Sequence, residues 1–156
     1  MSAAGNDRTG QRPVILLLSG PNLGLLGERQ PEIYGVATLA DHVERADRAA
    51  ARAGFELKHL QSEHEADLVA AVHDARGSVE AIVVNAGALS HSSWALHDAL
   101  AAFDGAVVEL HLSNPDAREP WRHTSVVSPV AVGIISGFGG LGYRLAVDAV
   151  AGLLAP

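Results

Sequence analysis

Short hydrophobic runs alternate with longer segments of helical pattern along the chain. Residues 14–19 (VILLLS) form a continuous apolar run, which is typical of a strand buried on both faces of a parallel sheet. Four further runs indicate strands at residues 55–60, 81–84, 106–112 and 131–136. The pattern therefore predicts five strands, each followed by a segment long enough for a helix.

Two of the intervening segments begin with a capping box, in which a Ser or Thr is followed three positions later by an acidic residue. The first, Thr38-Leu-Ala-Asp41, opens an Ala- and Arg-rich helix that stops at Gly54. The second, Ser62-Glu-His-Glu65, opens a helix that ends near Gly77. Glycine is typical of such ends because it adopts the left-handed conformation at little cost.

Two more helices complete the alternation. Ser92 or Ser93 caps one that runs to about Phe103, and the last covers residues 141–153. Strands that alternate with helices form a parallel sheet covered on both faces. We therefore predict an α/β, flavodoxin-like, doubly wound sheet of five parallel strands in the order 2-1-3-4-5.

Length and composition narrow the class of protein. The 156 residues suit one catalytic domain at residues 14–156, after a flexible N-terminal tail at residues 1–13. The net charge of −7 argues against nucleic acid or an anionic membrane as a partner. The absence of cysteine excludes disulfides and thiol nucleophiles. Because the sequence has neither a secretory signal nor a membrane-spanning run, we expect a cytoplasmic protein.

In this topology ligands bind beyond the carboxyl ends of the strands, where the order reverses between strands 1 and 3. The loops of unusual sequence follow Ser19, Val84 and Leu112, at that same edge. The first loop, residues 20–35, is longer than the roughly two to six residues usual in α/β units, which is typical of a lid or binding loop. Its candidate functional side chains are Asn22, Arg29 and Tyr34.

The second loop, residues 85–93, combines small residues with two polar side chains, Asn85 and His91. Small residues let backbone N–H groups approach a ligand, and the helix that follows favours an anion at its N-terminus. A glycine-rich connector with a capping serine is the simpler alternative. The position at the switch point favours a binding role.

The third element contains Glu109 and His111, two residues apart on a predicted strand, so their side chains share a face. The carboxylate can hold one imidazole tautomer and leave the other nitrogen for a substrate, an arrangement suited to general acid–base chemistry. The alternative, a solvated polar face, does not suit a central strand of this fold.

Three other features do not predict chemistry. The segment 137–142 matches G-x-G-x-x-G, but it follows the last strand and has no acidic partner downstream, so we interpret it as close helix–sheet packing. The eight histidines include no H-x-x-x-H pair, so we expect no metal and no other cofactor. The single lysine, Lys58, lies on an edge strand, away from the switch point, which argues against Schiff-base catalysis.

Several ordered motifs together resemble the type II 3-dehydroquinate dehydratases. The resemblance covers roughly residues 14–154 and is carried by residues 20–35 (GPNLGLLGERQPEIYG), 85–91 (NAGALSH), 109–114 (ELHLSN), 117–123 (AREPWRH) and 128–139 (SPVAVGIISGFG). It implies dehydration of 3-dehydroquinate to 3-dehydroshikimate through an enolate, within shikimate or catabolic quinate metabolism.

The resemblance also implies a role for each matching residue. Tyr34, as a phenolate, removes the proton beside the ketone, and Arg29 stabilises that phenolate. Asn22 helps to hold the enolate, through water. His111 protonates the departing hydroxyl, with Glu109 behind it.

Further residues are implied in binding. The substrate carboxylate is held by Asn85, His91 and the backbone at Leu112 and Ser113. Arg122 reaches the ring hydroxyls. Asp98 contacts the substrate site of a neighbouring subunit in a homododecamer built from trimers.

The chain departs from the usual family pattern at a few positions beside the site: Gln30, His97, Pro115, Asp116 and Thr124. None of them is a residue to which the resemblance assigns chemistry. The alternative function is a flavodoxin-like module that binds a small ligand or nucleotide without activity. Against a nucleotide, Pro21 removes a backbone N–H from the loop that would have to cradle its phosphate.

Overall fold

A computed structural model of the protein describes residues 10–156, so most of the predicted tail at residues 1–13 lies outside the described residues. The strands are β1 (Val14–Ser19), β2 (Glu56–Gln61), β3 (Ala81–Asn85), β4 (Ala106–His111) and β5 (Gly133–Ser136). The helices are α1 (Pro31–Tyr34), α2 (Leu39–Arg52), α3 (Glu65–Ala75), α4 (Trp94–Ala101) and α5 (Leu141–Leu154).

All five strands are parallel and lie in the order β2-β1-β3-β4-β5, which confirms the predicted topology. β1 lies between β2 and β3 and is buried along its whole length, which explains its unbroken apolar sequence. One face of the sheet packs against α2 and α5, and the other against α3 and α4. The carboxyl ends of β1, β3 and β4 therefore meet at one edge.

Two predicted helix caps are confirmed. The Thr38 hydroxyl accepts a hydrogen bond from the Asp41 N–H at 3.2 Å, and the Asp41 carboxylate accepts one from the Thr38 N–H at 2.8 Å. At α4 the cap is Ser93, whose hydroxyl accepts from the Leu96 N–H at 3.0 Å. Each bond satisfies a donor that the first helical turn leaves unpaired.

The capping box predicted at residues 62–65 is wrong. The helix begins only at Glu65, and the residue before it makes no side-chain cap. The Ser62 hydroxyl instead accepts from the His64 N–H at 3.0 Å and donates to the Asp67 carboxylate at 2.5 Å. The Ser62 side chain thus closes a turn just before the helix. Such local hydrogen bonds of serine compete with helix capping.

The glycine-rich segment 137–142 packs as predicted at its last position. A methyl group built on Gly142 would lie 2.9 Å from the Leu110 side chain, so α5 approaches the sheet closely here. β5 itself starts at Gly133, two residues later than predicted, because the chain first makes a 3-10 turn at Ser128–Val130. Within residues 10–156, no helix is long and apolar enough to cross a membrane.

Candidate active site

The carboxyl edge of the sheet holds a small cavity of about 70 Å³. The predicted site residues that line it are Asn22, Arg29, Tyr34, Asn85, His91, His111, Leu112, Ser113 and Arg122. They come from all three loops, because parallel strands deliver their loops to one edge. Typical small-molecule pockets measure about 300–1,000 Å³, so the loops leave little free space between these side chains.

The first loop folds into two short turns of its own. A 3-10 turn covers Leu23–Leu25, and α1 ends at Tyr34. The backbone of Asn22 is left-handed, with φ 67°, and that of Gln30 likewise, with φ 39°. These two reversals double the chain back, so one loop presents an amide, a guanidinium and a phenol to the same cavity.

The Tyr34 hydroxyl accepts a hydrogen bond from Arg118 at 2.8 Å. The same Nη1 of Arg118 donates to the Ser113 hydroxyl at 3.2 Å, which fixes the guanidinium beside the phenol. Arg29, the predicted partner of Tyr34, lies over its ring instead, 5.2 Å from the centroid. Two cations therefore surround the phenol, and the one that touches its oxygen is Arg118.

His111 and Glu109 form the directly bonded pair that the strand spacing predicts. The His111 Nε2–H donates to Glu109 Oε1 at 2.8 Å, which leaves Nδ1 as the free ring nitrogen. Glu109 is 1% exposed and is held by two further donors, the hydroxyls of Ser125 and Ser128. Burial raises the pKa of Glu109, but these three hydrogen bonds outweigh it and lower the pKa below its ordinary value.

The second loop follows β3 and packs tightly on the first. A methyl group on Gly20 would lie 2.4 Å from the Ala86 carbonyl oxygen, so only glycine fits at that crossing. Asn85 is buried at the end of β3, and its side-chain amide donates to the Tyr143 hydroxyl at 3.4 Å. Burial raises the pKa of Tyr143 to about 12, so this partner stays a neutral phenol.

His91 is fixed by contacts on two sides. Its Nδ1–H donates to the Thr124 carbonyl at 2.8 Å, which leaves Nε2 for a ligand. The Trp121 ring meets it edge-on at 5.4 Å between centroids, and the Arg122 guanidinium lies 4.0 Å above the same indole. The indole therefore contacts both predicted binding side chains.

Asp98 does not line the cavity. It lies on the exposed side of α4, and its carboxylate has no hydrogen-bond or ion-pair partner among residues 10–156. Its neighbour His97 donates to the Val126 carbonyl at 2.7 Å. In the third loop, where Pro115 and Asp116 stand, the Asn114 side chain caps the turn by accepting from the Asp116 N–H at 3.1 Å.

The sequence patterns did not single out Arg118 or Trp121. Both stand in the segment 117–123, where two arginines four residues apart flank the tryptophan. The two arginines were the available signal, because Arg is over-represented where a protein recognises an anionic group. Among the described residues, no group of three or more His, Asp or Glu side chains could hold a metal ion.

Comparisons with known proteins show the family of the chain. Residues 13–151 match the family model described as Dehydroquinase class II. The chain is 52% identical over 139 residues to the 3-dehydroquinate dehydratase of Corynebacterium glutamicum (strain R), covering 89% of this chain and 96% of that one. It is 53% identical over 138 residues to the catabolic 3-dehydroquinase of Aspergillus oryzae, covering 88% and 90%.

A solved structure supports the same conclusion. The crystal structure of the type II dehydroquinase from Propionibacterium acnes superimposes with a TM-score of 0.87 and 38% identity, covering 91% of this chain and 98% of that one. Family model, sequence relatives and fold therefore agree over nearly the whole chain. This protein belongs to the class II dehydroquinase family.

Proposed function

We propose that the protein is a hydro-lyase that dehydrates 3-dehydroquinate to 3-dehydroshikimate by acid–base elimination through an enolate. The reaction belongs to the shikimate route to aromatic amino acids or to quinate breakdown. Relatives named for this activity, at about half identity and over most of the chain, support the assignment. The observation that carries it is one cavity lined by a phenol bonded to a guanidinium and an imidazole bonded to a carboxylate.

In the first step Tyr34, as a phenolate, takes the proton from the carbon beside the ketone. A free phenol ionises only near pH 10, so the anion needs stabilisation at neutral pH. The Arg118 hydrogen bond supports this role, since a hydrogen bond to a charged group contributes roughly 1.5–3 kcal/mol. Arg29 adds positive charge over the ring, and Asn22 helps to hold the enolate through water.

In the second step His111 donates a proton to the leaving hydroxyl. Its Nε2 is bound to Glu109, so Nδ1 is the nitrogen that carries the transferred proton. The ionised carboxylate behind the ring stabilises the positive imidazolium that can give that proton up. The base comes from the first loop and the acid from the end of β4, which allows each to act at a different position of the substrate ring.

Substrate binding completes the site. The carboxylate is held by Asn85, His91 and the backbone at Leu112 and Ser113, beside the segment that leads into α4. Arg122 contacts the ring hydroxyls. The cavity is smaller than typical small-molecule pockets, which supports a first loop, residues 20–35, that moves outward to admit the ring.

The enzyme acts as a homododecamer in the cytoplasm. Asp98 supports an assembly, because its exposed carboxylate lies outside its own cavity and is available to the site of a neighbouring subunit. Measuring the mass of the purified protein by light scattering tests the dodecamer. An Asp98→Ala variant that assembles normally but loses activity would assign the contact.

The function is tested by adding purified protein to 3-dehydroquinate and following the enone absorbance of the product. We expect turnover in the parent and none above background in Tyr34→Phe, with the variant still binding substrate. A parent protein without turnover that binds a nucleotide instead would favour the alternative of a flavodoxin-like binding module. Pro21 argues against that alternative, because it removes a backbone N–H from the loop that would have to hold a phosphate.

A further inference from the structure

One short segment, residues 124–128, is hydrogen-bonded to His91, to His97 and to Glu109, the carboxylate that holds His111. The Thr124 carbonyl accepts from His91 at 2.8 Å, and the Val126 carbonyl accepts from His97 at 2.7 Å. The Ser125 hydroxyl donates at 2.5 Å to Glu109, the carboxylate behind the acid–base imidazole. We call residues 124–128 the brace.

The direction of the hydrogen bonds at Ser125 follows from the backbone. Its Oγ accepts from the N–H of Val127 at 3.1 Å and from the N–H of Ser128 at 3.2 Å. Amide N–H groups can only donate, so both lone pairs of the hydroxyl are occupied. The single hydroxyl proton must therefore point to Glu109 Oε1.

The charge of Glu109 follows from its surroundings. Its Oε1 receives the Ser125 hydroxyl, and the hydrogen bonds with His111, Ser125 and Ser128 outweigh burial and lower its pKa, so the group is a carboxylate. A carboxylate can only accept, so its bond to His111 places the proton on Nε2 and leaves Nδ1 to the cavity.

The same segment holds His91 in the opposite tautomer. A carbonyl oxygen can only accept, so the bond to Thr124 requires a proton on Nδ1 and leaves Nε2 for the ligand. The rings of His91 and His111 lie 6.5 Å apart and are nearly parallel, with 12° between their planes. Two neighbouring imidazoles are thereby held in complementary tautomers.

We propose that Ser125 is a positioning residue that sets both tautomers at once, coupling the acid that acts on the leaving hydroxyl to the grip on the substrate carboxylate. Its hydroxyl holds Glu109, and its two backbone bonds hold the brace that carries the Thr124 carbonyl. The Ser128 hydroxyl makes only the first of these contacts, because it binds Glu109. The expected effect on kcat and KM rests on the proposed function, whereas the assignment of the two tautomers does not depend on it.

The kinetic test compares Ser125→Ala with Ser128→Ala. Losing one charge-assisted hydrogen bond should lower kcat by roughly 10-fold in Ser128→Ala, with KM little changed. Ser125→Ala should lower kcat at least as much and also raise KM several-fold, because the brace loosens at His91. Ser125→Thr, which keeps the hydroxyl, should restore both parameters. Ser78→Ala, at a hydroxyl that binds the end of α3, is the control.

The second readout needs no turnover. Long-range ¹H–¹⁵N spectra should assign the Nε2–H tautomer to His111 and the Nδ1–H tautomer to His91 in the parent. In Ser125→Ala, the nitrogen shifts of His91 should move toward the average of its two tautomers. The opposite tautomer at either histidine in the parent overturns the proposal, as does a Ser125→Ala protein with parental spectra and kinetics.

The two readouts separate the possible failures. A parent with the expected spectra but no turnover of 3-dehydroquinate would contradict the proposed function and leave the brace intact. If Ser125→Ala does not fold, Ser125→Thr and Ser128→Ala decide the matter. Parental kcat in Ser128→Ala would then contradict the coupling through Glu109.

Discussion

Arg118 donates a 2.8 Å hydrogen bond to the hydroxyl of Tyr34, a residue 84 positions earlier in the chain. Arg29, on the same loop as Tyr34, contacts only the face of the ring. A charge beside the oxygen stabilises a phenolate more strongly than one above the ring, because attraction falls with distance. The two arginines thus differ in what they contribute to the base.

Replacing each arginine should separate these contributions. Arg118→Gln should lower kcat by roughly 10–100-fold and move the rising limb of the pH–rate profile to higher pH. Arg29→Gln should change kcat and the pH–rate profile in the same direction, but by less. Arg144→Gln, on the exposed face of α5, should change neither. Equal loss at every pH in Arg118→Gln would make Arg118 a substrate ligand instead.

Removal of the acid should affect the chemical step more than binding. His111→Ala should reduce kcat by roughly 10²–10⁴-fold, the usual contribution of a positioned acid or base, with a smaller change in KM. Steady-state kinetics and the dissociation constant of a substrate analogue distinguish the two effects. An unchanged kcat with a raised KM would identify His111 as a binding residue.

Trp121 should act through the two side chains that it touches. Trp121→Ala removes the edge contact with His91 and the stacking surface of Arg122, so KM should rise several-fold. Trp121→Phe keeps an aromatic face and should recover most of the loss. If Trp121→Ala binds substrate as tightly as the parent, Arg122 and His91 are positioned without the indole.

His42 should make the protein sensitive to acid. It is 2% exposed, and neither ring nitrogen has a hydrogen-bond partner among the described residues. Burial, and then the charge of Arg45, lower the pKa of His42 below 6.5. The unfolded chain therefore binds the proton more tightly, and stability is lost as the pH falls below about 6.5.

The substitution His42→Leu tests this. It should raise the free energy of unfolding by on the order of 1 kcal/mol at pH 8, because it removes a buried polar ring without hydrogen-bond partners. The loss of the stack on Tyr143 offsets part of this gain. The gain should grow at pH 5.5. Burial also lowers the pKa of His59, so some acid sensitivity should remain. Urea titrations at both pH values, with the exposed His73→Leu as control, measure the difference.

Lys58 should be dispensable for the chemistry. It is exposed on β2, at the edge of the sheet, and does not line the cavity. Lys58→Arg should keep near-normal turnover, and borohydride added with substrate should leave no reduced adduct in the mass spectrum. An adduct trapped on Lys58 would instead place the enzyme in the imine-forming class of dehydratases.

The sequence predicted the sheet well because its central strands are buried on both faces. In a small α/β protein, an unbroken apolar run such as Val14–Ser19 predicts a strand buried on both faces of the sheet. The helix start at Thr38 was equally readable, because its partner Asp41 is three residues away. Ser62 was misleading, because a serine before an acidic helix can close a turn as readily as cap the helix.

The candidate site was predictable to the extent that it follows from topology. Glu109 and His111 are neighbours on one strand, so period-two spacing is enough to pair them. The contact of Arg118 with Tyr34 joins segments that no local pattern relates. Likewise, the hydroxyls behind Glu109 belong to a segment without regular structure, and only the folded chain shows where they point.

The left-handed backbone at Asn22 and Gln30 places the base Tyr34 on a loop whose shape depends on its contacts. A residue other than glycine adopts this conformation at a cost of about 1–2 kcal/mol, and asparagine tolerates it better, so the contacts of the first loop must hold it in place. The grip on the carboxylate comes from the second and third loops instead. A truncated substrate that keeps only the carboxylate should therefore still be bound, and should lose more in the reaction than in recognition.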